Sequence, residues 1–157
     1  EYFSATGATS VVGTASATWY LTGVQVEVGS TASDFEHLNI TEQIQLCERY
    51  FNKSYALSVA PGTANTIEGS IAIRNGNFTD NNSPFWHVSF PTRMRTEPTV
   101  TTFDYAGNSG KINGPSNASV TATAFQIDER GFNILNSSGS SVAKGDYYCN
   151  YKASAEL

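Results

Sequence analysis

Short runs in which apolar and polar residues alternate occur along most of the chain, and they favour β-strands over any other element. Successive side chains of a strand point to opposite faces, so an alternating run buries one face and leaves the other in water. Such runs lie at residues 55–59, 71–73, 86–90, 120–124, 132–134 and 147–151, with a β-branched and aromatic run at 99–105. Turn signals such as Asn75-Gly76 separate them. The pattern predicts a mainly β fold, an antiparallel and jelly-roll-like β-sandwich.

One segment has the period of a helix instead. Its apolar residues fall three or four positions apart, which places them on one stripe of a helix. The stripe consists of Ile40, Ile44, Cys47 and Phe51. Thr41 is of a residue type that caps helix N-termini. We therefore expect one short α-helix around residues 41–52, with its stripe packed on a sheet.

A further strand is expected near the start of the chain, over residues 19–28. Trp19 and Leu21 share one face, and Val24, Val26 and Val28 share one face after a change of parity. The change falls at Gly23, where a β-bulge would produce it.

Charge and cysteine content exclude several classes of function. The 157 residues include 9 Lys and Arg against 14 Asp and Glu, a net charge of −5. Nucleic-acid binding needs clustered basic residues, so no nucleic-acid partner is expected. No apolar run approaches the length that crosses a bilayer, so no membrane insertion is expected. The two cysteines, Cys47 and Cys149, carry no spacing signature, and we expect free thiols and no metal site.

Several segments together resemble a recurrent pattern near the C-terminus of bacteriophage tail fibre and receptor-binding proteins. They are Leu-Thr-Gly-Val-Gln-Val-Glu-Val-Gly-Ser at 21–30, Ser-Asp-Phe-Glu-His at 33–37, Glu-Gln-Ile-Gln-Leu-Cys-Glu-Arg-Tyr-Phe at 42–51, Phe90-Pro91, Met94-Arg95-x-x-Pro98 and the ending Ala155-Glu156-Leu157. The chain departs from the family at Ser33, where Thr is commoner, and at Asp34, where Pro is commoner. Both departures fall in the linker.

The resemblance implies a virion tail component that contacts the host surface. It implies that residues 1–38 are the C-terminal strand or strands of an upstream carbohydrate-binding-like module plus a linker, and that residues 39–157 are a C-terminal tail-fibre β-sandwich. An alternative is that the strand at 19–28 joins the C-terminal domain. It also implies a homotrimer in the virion tail fibre, assembled in the host cytoplasm beside other tail proteins, that binds a bacterial surface polysaccharide or another host receptor.

The sequence contains no recognisable catalytic set. His37 and His87 are the only histidines, and neither accompanies a Gly-x-Ser-x-Gly nucleophile elbow. Asp128 and Glu129 are neighbours that precede Arg130-Gly131 and indicate a turn, not a pair of carboxylates across a glycosidic bond. The Asp80-Asn81-Asn82 run lacks the Gly and Glu offsets of a calcium loop. We expect a non-enzymatic protein with no cofactor and no metal.

Ligand-binding side chains are sought in the long polar loops, because loops on a rigid sandwich commonly carry function. Aromatic rings suit the apolar faces of sugars, and amides suit their hydroxyl groups. The candidates for glycan binding are Asn77, Asp80, Asn81, Asn82 and Phe85 in one loop, and Tyr105, Asn108 and Lys111 in the next.

Other interpretations of the sequence remain open. Phe85 and Tyr105 could instead be core or subunit contacts. Two further hypotheses for the whole chain are a structural trimerisation or virion decoration module without receptor contact, and a small glycan hydrolase or esterase.

Overall fold

The computed structural model describes residues 15–16, 18, 20–75, 84–137 and 145–156, without the side chains of 73–75 and 84–85. The chain divides into two compact units, Glu1–Leu38 and Asn39–Leu157.

The second unit is a curled antiparallel sheet with one short helix, as the sequence predicts. The helix is α1 (Ile40–Glu48), and a 3₁₀ turn spans Pro115–Asn117. The strands are β1 (Phe51–Lys53), β2 (Ile71–Asn75), β3 (Pro84–Ser89), β4 (Thr99–Phe103), β5 (Lys111–Asn113), β6 (Ser119–Phe125), β7 (Gly131–Asn136) and β8 (Gly145–Ser154). The path through the sheet is β1-β8-β5-β6-β7-β3, and β2 and β4 also pair with β8. Every one of these pairings is antiparallel.

Strand β8 organises the sheet because different parts of it pair with four other strands. Its first half pairs with β2, from Ile71↔Cys149 to Asn75↔Gly145. Its second half pairs with both β1 and β4, so that Phe51 and Thr99 are both partners of Ser154. The alternation predicted at 147–151 is confirmed and extends to residues 153 and 155, since Tyr147, Cys149, Tyr151, Ala153 and Ala155 are all buried.

The core lies against this inward face of β8 and is rich in aromatic rings. Phe132 is fully buried and packs on Phe90 and Tyr151, with ring centroids 5.7 and 5.1 Å away. Val88 and Phe90 are buried as their alternation predicts, and Trp86 packs half-buried against the same cluster. Offset and edge-on ring pairs of this kind add stabilisation beyond the burial of their apolar area.

The predicted strand at 19–28 is wrong for residues 20–28, which carry no strand assignment. Val24, Val26 and Val28 face solvent, whereas Gln25 and Glu27 on the opposite side are tied to the following loop. Ser33 N donates to Glu27 Oε1 at 2.6 Å, and Glu36 N donates to Gln25 Oε1 at 2.9 Å. A strand exists only when a neighbour completes its hydrogen bonds, and the described residues of this unit supply none.

The helix exists as predicted, but its limits and its packing differ from the prediction. Asn39, and not Thr41, is the N-cap, because Asn39 Oδ1 accepts from Glu42 N at 3.0 Å. The helix ends at Glu48, and Phe51 already belongs to β1. None of the helical residues is buried. The predicted packing of the stripe on the sheet holds only in part, because Ile44 is half-buried and α1 contacts β1, whereas Ile40 and Cys47 are exposed.

Candidate functional site

The structure describes only part of the predicted ligand-binding set. Asn77, Asp80, Asn81 and Asn82 lie outside the described residues, and Phe85 falls in β3 with its side chain outside the description. The remaining three candidates, Tyr105, Asn108 and Lys111, lie together where the chain turns from β4 into β5.

A buried carboxylate, Asp104, closes this turn. Only 3% of Asp104 is exposed, and it accepts hydrogen bonds from Asn108 N at 2.8 Å and from Asn108 Nδ2 at 3.0 Å. Ser119, at the start of β6, donates its hydroxyl to Asp104 Oδ2 at 2.6 Å. The β-branched run predicted at 99–105 therefore ends as a strand at Phe103, since Asp104 starts the turn. The backbone and side-chain nitrogens of Asn108 thus both hold the turn.

The same contacts fix the charge of Asp104. Burial by itself would raise the pKa of Asp104, but the hydrogen bonds from Ser119 and Asn108 together outweigh burial and hold that pKa below its usual range. The carboxylate is therefore anionic at any mildly acidic or neutral pH. It acts as a fixed acceptor that tethers two loops.

A second buried polar side chain, Asn113, joins this turn to β8. Its Oδ1 accepts from Tyr105 N at 2.6 Å, and its Nδ2 donates to the Tyr148 hydroxyl at 3.0 Å. The Tyr148 hydroxyl in turn donates to Asn117 Oδ1. Ser116 and Asn117 both have positive φ, 56° and 60°, so the backbone of this short turn departs there from a regular 3₁₀ helix. One amide thus connects residues on three separate segments, and it is 2% exposed.

The long segment 54–70 packs on the same turn, which the sequence did not predict. Asn65 N donates to the Tyr105 carbonyl at 2.7 Å, and Asn150 Nδ2 donates to the Thr66 carbonyl at 3.1 Å. Gly62 and Gly107 touch so closely that a Cβ on Gly107 would lie 2.3 Å from the Gly62 oxygen. The strand predicted at 55–59 is wrong, because Tyr55 turns inward against the ring of Phe103.

Residues 54–70, 104–110 and 114–118 are called the loop platform from here on. Its segments are held by hydrogen bonds to buried side chains, so its surface is preorganised. Exposed polar side chains on it include Thr63, Asn65, Asn108, Ser116 and Asn117. Tyr105, together with Tyr148 and Lys111 at its border, is half-buried. Aromatic faces among a few placed polar groups are typical of small-ligand sites. Glycines 62, 69, 107 and 110, all with positive φ, were the signal in the sequence for these tight loops.

His87 and the acidic turn at residues 128–131 lie outside the loop platform. His87 is exposed on β3. The turn predicted at 128–131 is confirmed, since Asp128 Oδ1 accepts from Arg130 N at 2.7 Å and from Gly131 N at 2.9 Å. The hydrogen bonds from Arg130 and Gly131 lower the pKa of Asp128, the former more strongly. No cluster of three or more potential metal ligands occurs among the described residues. Within the same residues, no helix is long and apolar enough to span a membrane.

Comparisons with known proteins give one distant structural likeness. No family model matches the chain, and no curated protein matches it. A solved structure, the tailspike gp61 of Pseudomonas phage phi297, is similar over 55% of this chain with 16% sequence identity and a TM-score of 0.38. The matched part is 15% of the tailspike chain. A TM-score this low does not establish a shared fold.

Proposed function

We propose that this chain is a distal domain of a phage tail fibre that attaches the virion to a bacterial surface glycan without cleaving it. The family-like segments at 21–51 and 90–98 support the assignment to a tail fibre. The loop platform supports a binding role, because its loops are held in place before any ligand arrives. Preorganised loops lose little conformational entropy on binding.

The observation that carries the proposal is the pair of half-buried tyrosines joined by Asn113. Tyr105 and Tyr148 come from different segments, and the same buried amide holds Tyr105 by its backbone N–H and Tyr148 by its hydroxyl. The Tyr148 hydroxyl is fixed between Asn113 and Asn117, so its ring is held in one orientation. A fixed ring with amides beside it suits a sugar, which offers an apolar face and a rim of hydroxyl groups.

A non-enzymatic role is favoured by the hydrogen bonds that the buried carboxylate of the loop platform, Asp104, accepts. The oxygens of Asp104 accept bonds from Ser119 and Asn108, and those bonds favour its anionic form. A general acid for glycoside cleavage needs the opposite shift of pKa. The Asp104 carboxylate instead holds the loops together through these hydrogen bonds.

The remaining parts of the proposal follow the family that the sequence resembles. The chain would act as a homotrimer in the virion tail, assembled in the host cytoplasm with other tail proteins. Three copies of a weak glycan site on one fibre would bind a repetitive polysaccharide far more tightly than one copy.

Substitution of Tyr148 tests the glycan-binding proposal. The labelled protein and its variants are mixed with a panel of bacterial strains and with their isolated surface polysaccharides. Tyr148→Ala removes the ring and should lower affinity at least about tenfold, whereas Tyr148→Phe keeps the ring and should retain most of the affinity. Leu57→Ala, at a 74% exposed position of the same platform, is the control for general damage.

Two results would count against the proposal. If the wild-type chain binds no strain or polysaccharide, the receptor role fails. If it binds and Tyr148→Ala binds equally well, the site lies elsewhere. The structural alternative is a trimerisation or decoration module, and the unburied helix α1 favours it. Platform variants that leave the host range unchanged would support this alternative. Release of reducing sugar or acetate from a bound polysaccharide would instead support an enzyme.

A further inference from the structure

Helix α1 presents an apolar surface that the described residues do not cover. Exposed fractions are 69% for Ile40, 47% for Leu46 and 46% for Tyr50, and Cys47 is also exposed. A helix of nine residues is too short to be stable on its own in water, and most helices are stabilised by burying an apolar face. Within the part of the chain that the structure describes, the outward side of α1 therefore lacks the contact that such a helix normally needs.

The C-terminal end of α1 is held firmly, so the orientation of this surface is fixed. Thr92 donates its hydroxyl to Glu48 Oε2 at 2.9 Å, and Arg95 N donates to the Arg49 carbonyl at 2.7 Å. The Arg95 guanidinium lies 5.8 Å from the centre of the Tyr50 ring, within the range of a cation–π contact. Ala155 N donates to the Tyr50 carbonyl at 2.8 Å, which ties the segment to the end of β8.

The outward face carries an acidic, an apolar and a basic side chain in that order along the helix axis. Glu42 and Leu46 on the helix and Arg49 at its C-cap follow one another at spacings of four and three residues and lie on one side. The face therefore runs from an acid, through an apolar centre, to a base. Glu42 at the N-terminal end also suits the helix dipole.

We propose that this α1 face is a docking surface for a second copy of the same chain, paired antiparallel about a two-fold axis near Leu46. In that arrangement Leu46 packs on its own counterpart, and Glu42 of each copy lies near Arg49 of the other. A two-fold contact must be self-complementary in this way. A surface with an acid four residues before an apolar centre and a base three residues after it meets that requirement.

This pairing is separate from glycan binding and from the three-fold axis of the proposed fibre. Through this contact, the assembly that the chain forms associates with a second copy of that assembly. The decisive measurement is therefore a ratio of masses by light scattering or sedimentation equilibrium, taken over a range of concentrations on the whole chain. The wild-type mass should be twice that of Leu46→Glu, and the variant should weaken association at least about tenfold. Leu57→Glu, the same change at another exposed leucine, should keep the wild-type mass.

Charge reversal tests the partner's identity more closely. Glu42→Arg and Arg49→Glu should each weaken the pairing, because each places like charges opposite one another. The double variant Glu42→Arg/Arg49→Glu restores opposite charges and should recover the wild-type mass. Circular dichroism of each variant separates lost pairing from a lost helix. A double variant as weak as the singles, although folded, would overturn the antiparallel register.

Chemical cross-linking of Cys47 can detect the contact, because the two cysteines differ in their exposure to solvent. Cys47 is exposed on α1, one residue from the proposed axis, whereas Cys149 is buried. Burial also raises the pKa of the Cys149 thiol to about 12, which suppresses its reaction. A short bis-maleimide should therefore link wild-type chains in pairs, but not Leu46→Glu or Cys47→Ser. Equal masses for wild type and Leu46→Glu, a mass ratio of three, or no cross-link would each overturn the proposal.

Discussion

Replacement of Asn113 by Ala should destabilise the second unit by about 2–3 kcal/mol. The change removes two hydrogen bonds of a side chain that is 2% exposed: the 2.6 Å bond from Tyr105 N and the 3.0 Å bond to the Tyr148 hydroxyl. A typical hydrogen bond contributes about 1 kcal/mol net, and a donor left without a partner in a partly buried place adds about 1 kcal/mol or more. The Tyr105 amide is such a donor.

Urea unfolding followed by circular dichroism measures the loss, which should shift the midpoint and leave the slope unchanged. Tyr148→Phe removes one of the two bonds and should cost about 1 kcal/mol. Because the two variants share that bond, their effects should fall short of additivity by about 0.5–1 kcal/mol in the double variant. Hydrogen exchange at the Tyr105 amide should accelerate in Asn113→Ala and stay slow in Tyr148→Phe.

The matched control is Asn117→Gly, which removes an exposed amide from the same network, tolerates the positive φ of 60° and should cost less than about 1 kcal/mol. If Asn113→Ala costs no more than Asn117→Gly, the buried amide does not hold the loop platform together. Full additivity of Asn113→Ala and Tyr148→Phe would refute the bond between their side chains.

Two further predictions concern the turn between β4 and β5. Because hydrogen bonds hold the Asp104 pKa below its ordinary value of about 4, the stability it contributes is complete above that value and is lost as the pH falls through the lower folded pKa. Asp104→Asn should therefore flatten the acid limb of a stability–pH curve, and an unchanged limb would contradict the assignment. Gly107→Ala should cost more than about 2 kcal/mol, since its Cβ would meet the Gly62 carbonyl oxygen at 2.3 Å and φ is +83°. Gly110→Ala has a similar φ of +70° but open space, and should cost about 1 kcal/mol in the same thermal or urea denaturation.

The sequence predicts those elements whose structure depends on their own pattern. The alternation at 147–151 identifies β8 and the face that it buries, because one face of a strand in a half-solvated sheet must be apolar. The helix is recognised from the spacing of Ile40, Ile44 and Cys47. The predicted cap, Thr41, lies two residues after the observed cap, Asn39, because both are suitable residue types and only geometry selects between them.

What the sequence could not supply depends on distant partners. The valines at 24, 26 and 28 have the pattern of a strand, but a pattern does not provide a neighbour to pair with. The segment at 55–59 alternates and yet forms turns, because Tyr55 packs on Phe103 and its hydroxyl accepts from Gly62 N. The residues that matter most for the site, Asp104 and Asn113, are ordinary polar residues in the sequence. Their burial follows from contacts with Ser119 and Tyr148, and no local sequence pattern predicts those contacts.

The central position of β8 has a consequence for how the protein is made. Asn52 and Tyr151, 99 residues apart, share a buried hydrogen bond, and β1, β2 and β4 each need β8 as a partner. The ribosome releases β1, β2 and β4 well before β8. The edges of these strands that pair with β8 therefore lack their hydrogen-bond partner during synthesis. Open edges recruit other chains, and contacts this remote in sequence form slowly. Nascent chains of this protein are therefore the form most exposed to aggregation, and chaperones that shield strand edges would act in that interval.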